Sequence, residues 1–199
     1  MKINAGRKLY SLKEIYMIVY NGMRSVPYMS KAKRNNELSP EFIERIMLAV
    51  TEVNGCEVCS YAHTKMALEA GMSNQEIEKM LSGVITDIPS NELPAIMFAQ
   101  HYADSRGRPT KETWNRIIEN YGLTKSYGIL GAIRIIMIGN AYGIPWSSFF
   151  NRFKGKADKR SSLLYEVLVI ILGSLFVPFA IIHAIIASLL RLKIINFHS

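Results

Sequence analysis

Apolar residues return every three or four positions through most of the chain, and no run alternates apolar with polar between turn signals, so the pattern predicts helices throughout. Leu12, Ile15, Tyr16 and Val19 mark a first amphipathic helix over residues 9–20; Val26-Pro27 is expected to end it, with Ser30 to Glu37 as a loop. Ser39, Pro40 and Glu41 read as the cap and first turn of a second helix. Its apolar face is Ile43, Ile46, Met47, Val50 and Val53, with Glu44 on the border and Asn54-Gly55 at the end. Asn54, with Glu57 three residues on, predicts a capping box for a third helix that closes at Gly71. Ser73 and Glu76 repeat that pattern before Ile77, Met80 and Leu81.

After a break at Pro89-Ser90-Asn91, Leu93, Ile96, Met97 and Gln100 give another helical stripe, and Arg106-Gly107-Arg108-Pro109 reads as a turn. Thr110 caps a short helix ending at Gly122. A longer helix over residues 125–140 is expected to close at Gly143-Ile144-Pro145, leaving 146–153 as one further short helix. The fold class is all-α.

The tail follows a different rule. From Val167 to Leu190 there is no Asp, Glu, Lys or Arg, a run longer than the roughly 20 residues a helix needs to cross a bilayer core. Arg152, Lys154, Lys156, Lys159 and Arg160 precede it, and Arg191 and Lys193 follow. The chain therefore divides into a helical domain, 1–155, and a basic linker with a hydrophobic C-terminal helix, 156–199. The run is read as membrane contact through residues 167–190. The denser basic collar places the domain in the cytoplasm, anchored at the inner face of the membrane. A helix buried in an oligomer core has the same composition, and Pro178 admits a kinked helix that dips into the bilayer and returns.

The net charge of +8 is concentrated beside that run and at Lys31, Lys33 and Arg34. Without the aromatic interleaving of nucleic-acid binders, it points to a membrane surface rather than to DNA or RNA. Residues 1–7 lack the apolar core of a secretory signal. In that setting two cysteines spaced C-x-x-C read as redox or metal chemistry rather than as a structural staple.

Those cysteines are Cys56 and Cys59, the two in the chain, and His63 follows at helical spacing, so all three fall on one helical stripe. A thiol with an ordinary pKa near 8.5 is mostly protonated at neutral pH; a helix N-terminus and an adjacent imidazole both favour the thiolate. Cys56 has the better dipole and Cys59 the better base. Glu44, on the preceding helix, would orient His63 if the two helices form a hairpin, giving a Cys-His-Glu relay. A zinc clip would take Cys56, Cys59 and His63 with a fourth ligand from Glu44, His101 or another chain. His101 and Tyr61 read as packing or rim residues, and His183 as a histidine within the apolar run.

The stretch Glu44, Asn54-Gly55-Cys56, Cys59, Ala62-His63 and Gly71 resembles the alkylhydroperoxidase D-like branch of the carboxymuconolactone decarboxylase family. The likeness extends over roughly residues 10–155, with Asn140 to Pro145 similar to the end of the family domain. The resemblance implies a helical domain that forms homo-oligomers, trimers or hexamers. It also implies a thiol peroxidase or disulfide reductase acting on small hydroperoxides without a cofactor or metal, and reset by a thioredoxin-like or dihydrolipoamide-type protein. By that resemblance Cys59 attacks, activated through His63 and Glu44, and Cys56 resolves. Peroxidase members carry a histidine immediately before the second cysteine, where this chain has Val58. The decarboxylase branch lacks the paired thiols.

Overall fold

A computed structural model describes residues 9–197, and these are helical with no strand among them. The helices are α1 (Leu12–Arg34), α2 (Pro40–Asn54), α3 (Glu57–Glu69), α4 (Asn74–Leu81), α5 (Leu93–Asp104), α6 (Lys111–Phe153) and α7 (Leu163–Leu189). Ser11, Ser39, Ser73, Thr110 and Ser162 each cap a helix by accepting a hydrogen bond from a backbone N–H of its first turn. The core gathers around α6, where Ile129, Leu130 and Ile133 meet Ile46 and Leu48 of α2 and Ile96 of α5, all essentially without solvent contact.

Two helix ends differ from the expectation. α1 does not stop at Val26-Pro27 and 30–37 is not a loop; the helix runs to Arg34 with Pro27 inside it. Proline costs the helix one hydrogen bond, but beyond it α1 lies tightly on α6. A Cβ at Gly131 would come within 2.8 Å of the Met29 side chain and 3.0 Å of the Ser25 carbonyl. Packing of that closeness outweighs the local signal. Lys31, Lys33 and Arg34 consequently occupy the last turn of α1, where cations favour the dipole. On α6 the expected break at Gly122 is present (φ 71°, ψ 165°), whereas Gly143-Ile144-Pro145 continues as helix to Phe153. Ala141 and Ile144, both buried, hold that turn in the core.

The apolar tail is one helix with a π turn at Val169–Gly173 and Pro178 in its interior. It lies along α1, seating Ala180, Ala184 and Ala187 against Val19 and Tyr20. His183 stacks on Tyr20 with ring centroids 4.3 Å apart and shares a hydrogen bond with the Tyr16 hydroxyl at 3.1 Å. Near its start the fully buried Glu166 accepts from Arg152 Nε at 2.6 Å and Nη2 at 3.0 Å, and from the Ser161 hydroxyl. Past its end, buried Arg24 donates to the carbonyls of Leu192 at 2.5 Å and Lys193 at 2.9 Å, and buried Arg134 to that of Ile194 at 2.8 Å. Both α6 and α7 are long and apolar enough to cross a membrane by composition, but α6 is the core helix, 67% buried over its apolar window against 22% for α7.

Tyr165 donates its hydroxyl to the Tyr10 carbonyl at 2.8 Å, and the Tyr10 hydroxyl donates to Asn54 Oδ1 at 2.7 Å. Burial pushes the Tyr165 phenol up to about 12 and the Tyr10 phenol higher still. Because the folded pKa values lie above the unfolded value near 10, this contribution is whole below pH 10 and is lost as pH rises further. Urea midpoints measured from pH 9 to 11.5 should fall steadily above pH 10. Tyr10→Phe should lower the slope by up to about 1.4 kcal/mol per pH unit.

Candidate functional site

The site is assembled where α2 hands over to α3. α2 ends in Asn54, and Gly55 turns the chain in the left-handed region (φ 67°), a conformation glycine adopts without a Cβ clash. The cap of α3 is Cys56 rather than Asn54: Cys56 has extended backbone, and its Sγ accepts the Cys59 N–H at 3.4 Å. Asn54 is withdrawn from capping because its own residue is still helical and its amide is held by Tyr10 and the Met137 sulfur. Cys56 and Cys59 are joined in a disulfide, their Cα atoms 5.3 Å apart. Cys56 is fully buried and Cys59 nearly so, with 7% of its residue surface exposed.

The hairpin of α2 and α3 brings Glu44 and His63 together. Glu44 Oε2 lies 2.8 Å from His63 Nδ1, with side-chain exposures of 7% and 13%. With the carboxylate ionised and the imidazole neutral, Nδ1 donates to Glu44 and the acceptor lone pair of the ring is on Nε2. That is the tautomer a base for a neighbouring thiol requires. His63 stands one helical turn after Cys59. Glu44→Gln preserves shape and removes the charge that fixes this tautomer. Alkylation of reduced Cys59 at pH 7 should slow about 10- to 100-fold, with less effect at pH 9.5, where the thiol ionises unaided. Rates measured with iodoacetamide at both values check this.

Over the disulfide lies α6. A Cβ placed on Gly143 would sit 2.7 Å from Cys56 Sγ, 2.8 Å from Cys59 Sγ and 3.0 Å from Val58 Cγ1. Gly143 is thus the roof of the disulfide, where its pairing with Pro145 in sequence predicts a helix end. The spacing of a glycine and a proline cannot distinguish a stop from a place where sulfur must approach backbone. Tyr10, through Asn54, steadies the turn before Cys56; an aromatic residue far away in sequence carries no motif that would have revealed it. Val58 and Tyr61, three residues apart on α3, are exposed at 47% and 79%. His101 stands apart from the disulfide on α5, in a groove with Phe98 and Ile117, its Nε2 buried without a partner among the described residues. Among the described residues no group of three or more His, Cys, Asp and Glu is arranged to hold a metal ion.

Of the four residues singled out by motif, Glu44 and His63 are hydrogen-bonded and Cys56 and Cys59 are joined to each other, with His63 one helical turn beyond Cys59 on α3. Residues 24–98 match the model of the carboxymuconolactone decarboxylase family. The matched segment contains those four residues, from the second half of α1 to the first turns of α5; α6, with Gly143, lies outside it. No curated protein and no solved structure matches the chain.

Proposed function

We propose that the protein is a C-x-x-C thiol peroxidase of the alkylhydroperoxidase D-like type that reduces organic hydroperoxides. The observation that carries the reading is the Cys56–Cys59 disulfide, in which Cys59 is the less enclosed cysteine, on the helix that also carries a carboxylate-oriented histidine. In the reduced enzyme His63 takes the proton of Cys59. The thiolate attacks the terminal oxygen of the hydroperoxide, the O–O bond breaks, and the alkoxide leaves with the proton from His63 as an alcohol. Cys59 is then a sulfenic acid, and Cys56 displaces its hydroxyl as water to give the disulfide. A dithiol protein, thioredoxin-like or of the dihydrolipoamide type, returns the two electrons by attacking Cys59, the less enclosed cysteine. Cys56 is expelled as a thiolate that accepts the α3 N-terminal N–H.

The exposed apolar side chains of Val58 and Tyr61, on the helix that carries Cys59, support an organic hydroperoxide over hydrogen peroxide. Exposed Met66 and Leu68 on α3 support assembly of identical chains, as trimers or hexamers, around this helix. The domain is assigned to the cytoplasm, at the inner face of the membrane. The test is stoichiometric: one equivalent of an alkyl hydroperoxide added to reduced protein should consume two thiols and yield one equivalent of alcohol. Unchanged thiols would overturn the reading.

Val58, standing where peroxidase members carry a histidine, favours a second reading, a dithiol–disulfide reductase for another protein using the same residues. A mixed disulfide trapped on Cys59 by Cys56→Ser, with no peroxide-dependent thiol loss in the parent, would establish it instead.

A further inference from the structure

The outer face of α7 is a continuous apolar stripe. Leu164, Ile171, Leu175, Phe179, Ile182 and Leu189 recur at intervals of three, four and seven, each more than half exposed, while Ala180, Ala184 and Ala187 on the opposite face meet α1. The helix of 27 residues is about 40 Å long, ample to cross a hydrocarbon core of roughly 30 Å. Its attachments forbid that orientation. Glu166 and the Tyr165 hydroxyl bind the domain at one end, the Gly173 carbonyl accepts from Tyr142 at 2.8 Å, and Arg24 and Arg134 hold the chain past the other end. The inner face of α7 rests on α1, whose own inner face is the domain core. Standing α7 upright across a bilayer would draw α1, packed along its inner face, and the helical domain beneath it into hydrocarbon.

We propose that α7 lies flat in the interface of an anionic lipid bilayer, its outer stripe among the acyl chains and the domain resting on the membrane surface. Charge selects the occupant. Lys154, Lys156 and Lys159 stand before the helix and Arg191 and Lys193 after it, all exposed and without a carboxylate partner among the described residues. Anionic headgroups match cations at both ends. A second copy paired along the same stripe, parallel or antiparallel, would bring basic ends against basic ends. Exposed Trp146 and Phe153, at the end of α6 beside Lys154, add aromatic rings suited to headgroup depth.

The test uses the full chain with vesicles of phosphatidylcholine alone or mixed seven to three with phosphatidylglycerol. Partition into the mixed vesicles should be at least about tenfold stronger, and the preference should shrink on adding salt or with Arg191→Gln and Lys193→Gln together. Phe179→Glu and, separately, Leu175→Glu should each weaken partition about tenfold or more, with unchanged helical circular dichroism. Depth decides orientation. Leu168→Trp, Phe179→Trp and Leu189→Trp, read against the parent with bromine-labelled lipids, should be quenched at one shallow depth. A deep middle position between two shallow ends would show a spanning helix and overturn the proposal. Equal partition into both vesicle types would overturn it, as would a soluble dimer that ignores both. None of these readouts involves the thiols, so the outcome stands apart from the peroxidase assignment.

Discussion

Cys59→Ser should reduce hydroperoxide turnover to background, while Cys56→Ser should complete one stoichiometric attack and then stall. The asymmetry follows from burial and position. Cys59 is the less enclosed of the two cysteines, and a serine hydroxyl there, with a far higher pKa, supplies no nucleophile at neutral pH. Cys56 is enclosed and can meet only what has formed on its neighbour. Loss of Cys56 therefore leaves a sulfenic acid on Cys59 that dimedone should label once per chain. Folding does not confound the comparison, because Cys56 is the cap of α3 and serine is among the best capping residues. Mass spectrometry after one equivalent of hydroperoxide checks both variants. Retained turnover in Cys59→Ser would overturn the assignment of roles.

Gly143→Ala should destabilise the oxidised protein by about 1–3 kcal/mol, the usual scale for forcing volume into a closed core. Its new methyl would meet both sulfurs at distances no side chain tolerates, and neither sulfur can rotate away while they are bonded. The informative control is Gly139→Ala, one turn earlier on α6, where a Cβ meets nothing closer than Ile136 Cδ1 at 3.6 Å. There the higher helix propensity of alanine should stabilise by up to about 1 kcal/mol. Opposite signs from one chemical change on one helix, read from thermal melts of oxidised protein, isolate the contact with sulfur. Destabilisation by both would assign the effect to the helix rather than to the roof.

Much of this is legible in the amino-acid sequence. Helix periods and capping serines fix where most elements begin, because those signals are local and few long-range contacts oppose them. The match of Glu44 to His63 was legible only as a condition, that α2 and α3 fold back on each other, and the 2.8 Å bond meets it. What escaped was decided by distant partners. Pro27 and Pro145 read as stops, but α6 packs tightly enough on its neighbours to hold helix through both. Asn54 read as a cap until Tyr10, from far up the chain, engaged its amide. Gly143 is silent in sequence because its function is the space it leaves.

The two buried arginines that hold the chain after α7 have a practical consequence. Arg24 and Arg134 carry positive charge inside the protein with backbone carbonyls of residues 192–194 among their acceptors, so the tail is an internal ligand of the domain. A chain shortened at residue 155 to gain solubility would leave both guanidiniums short of acceptors and uncover the alanine-lined side of α1. It would also remove the hydroxyl that holds the Tyr10 carbonyl, two links from the turn that delivers Cys56. Such a fragment is a damaged protein rather than a simplified one, and its redox behaviour would not represent that of the whole chain.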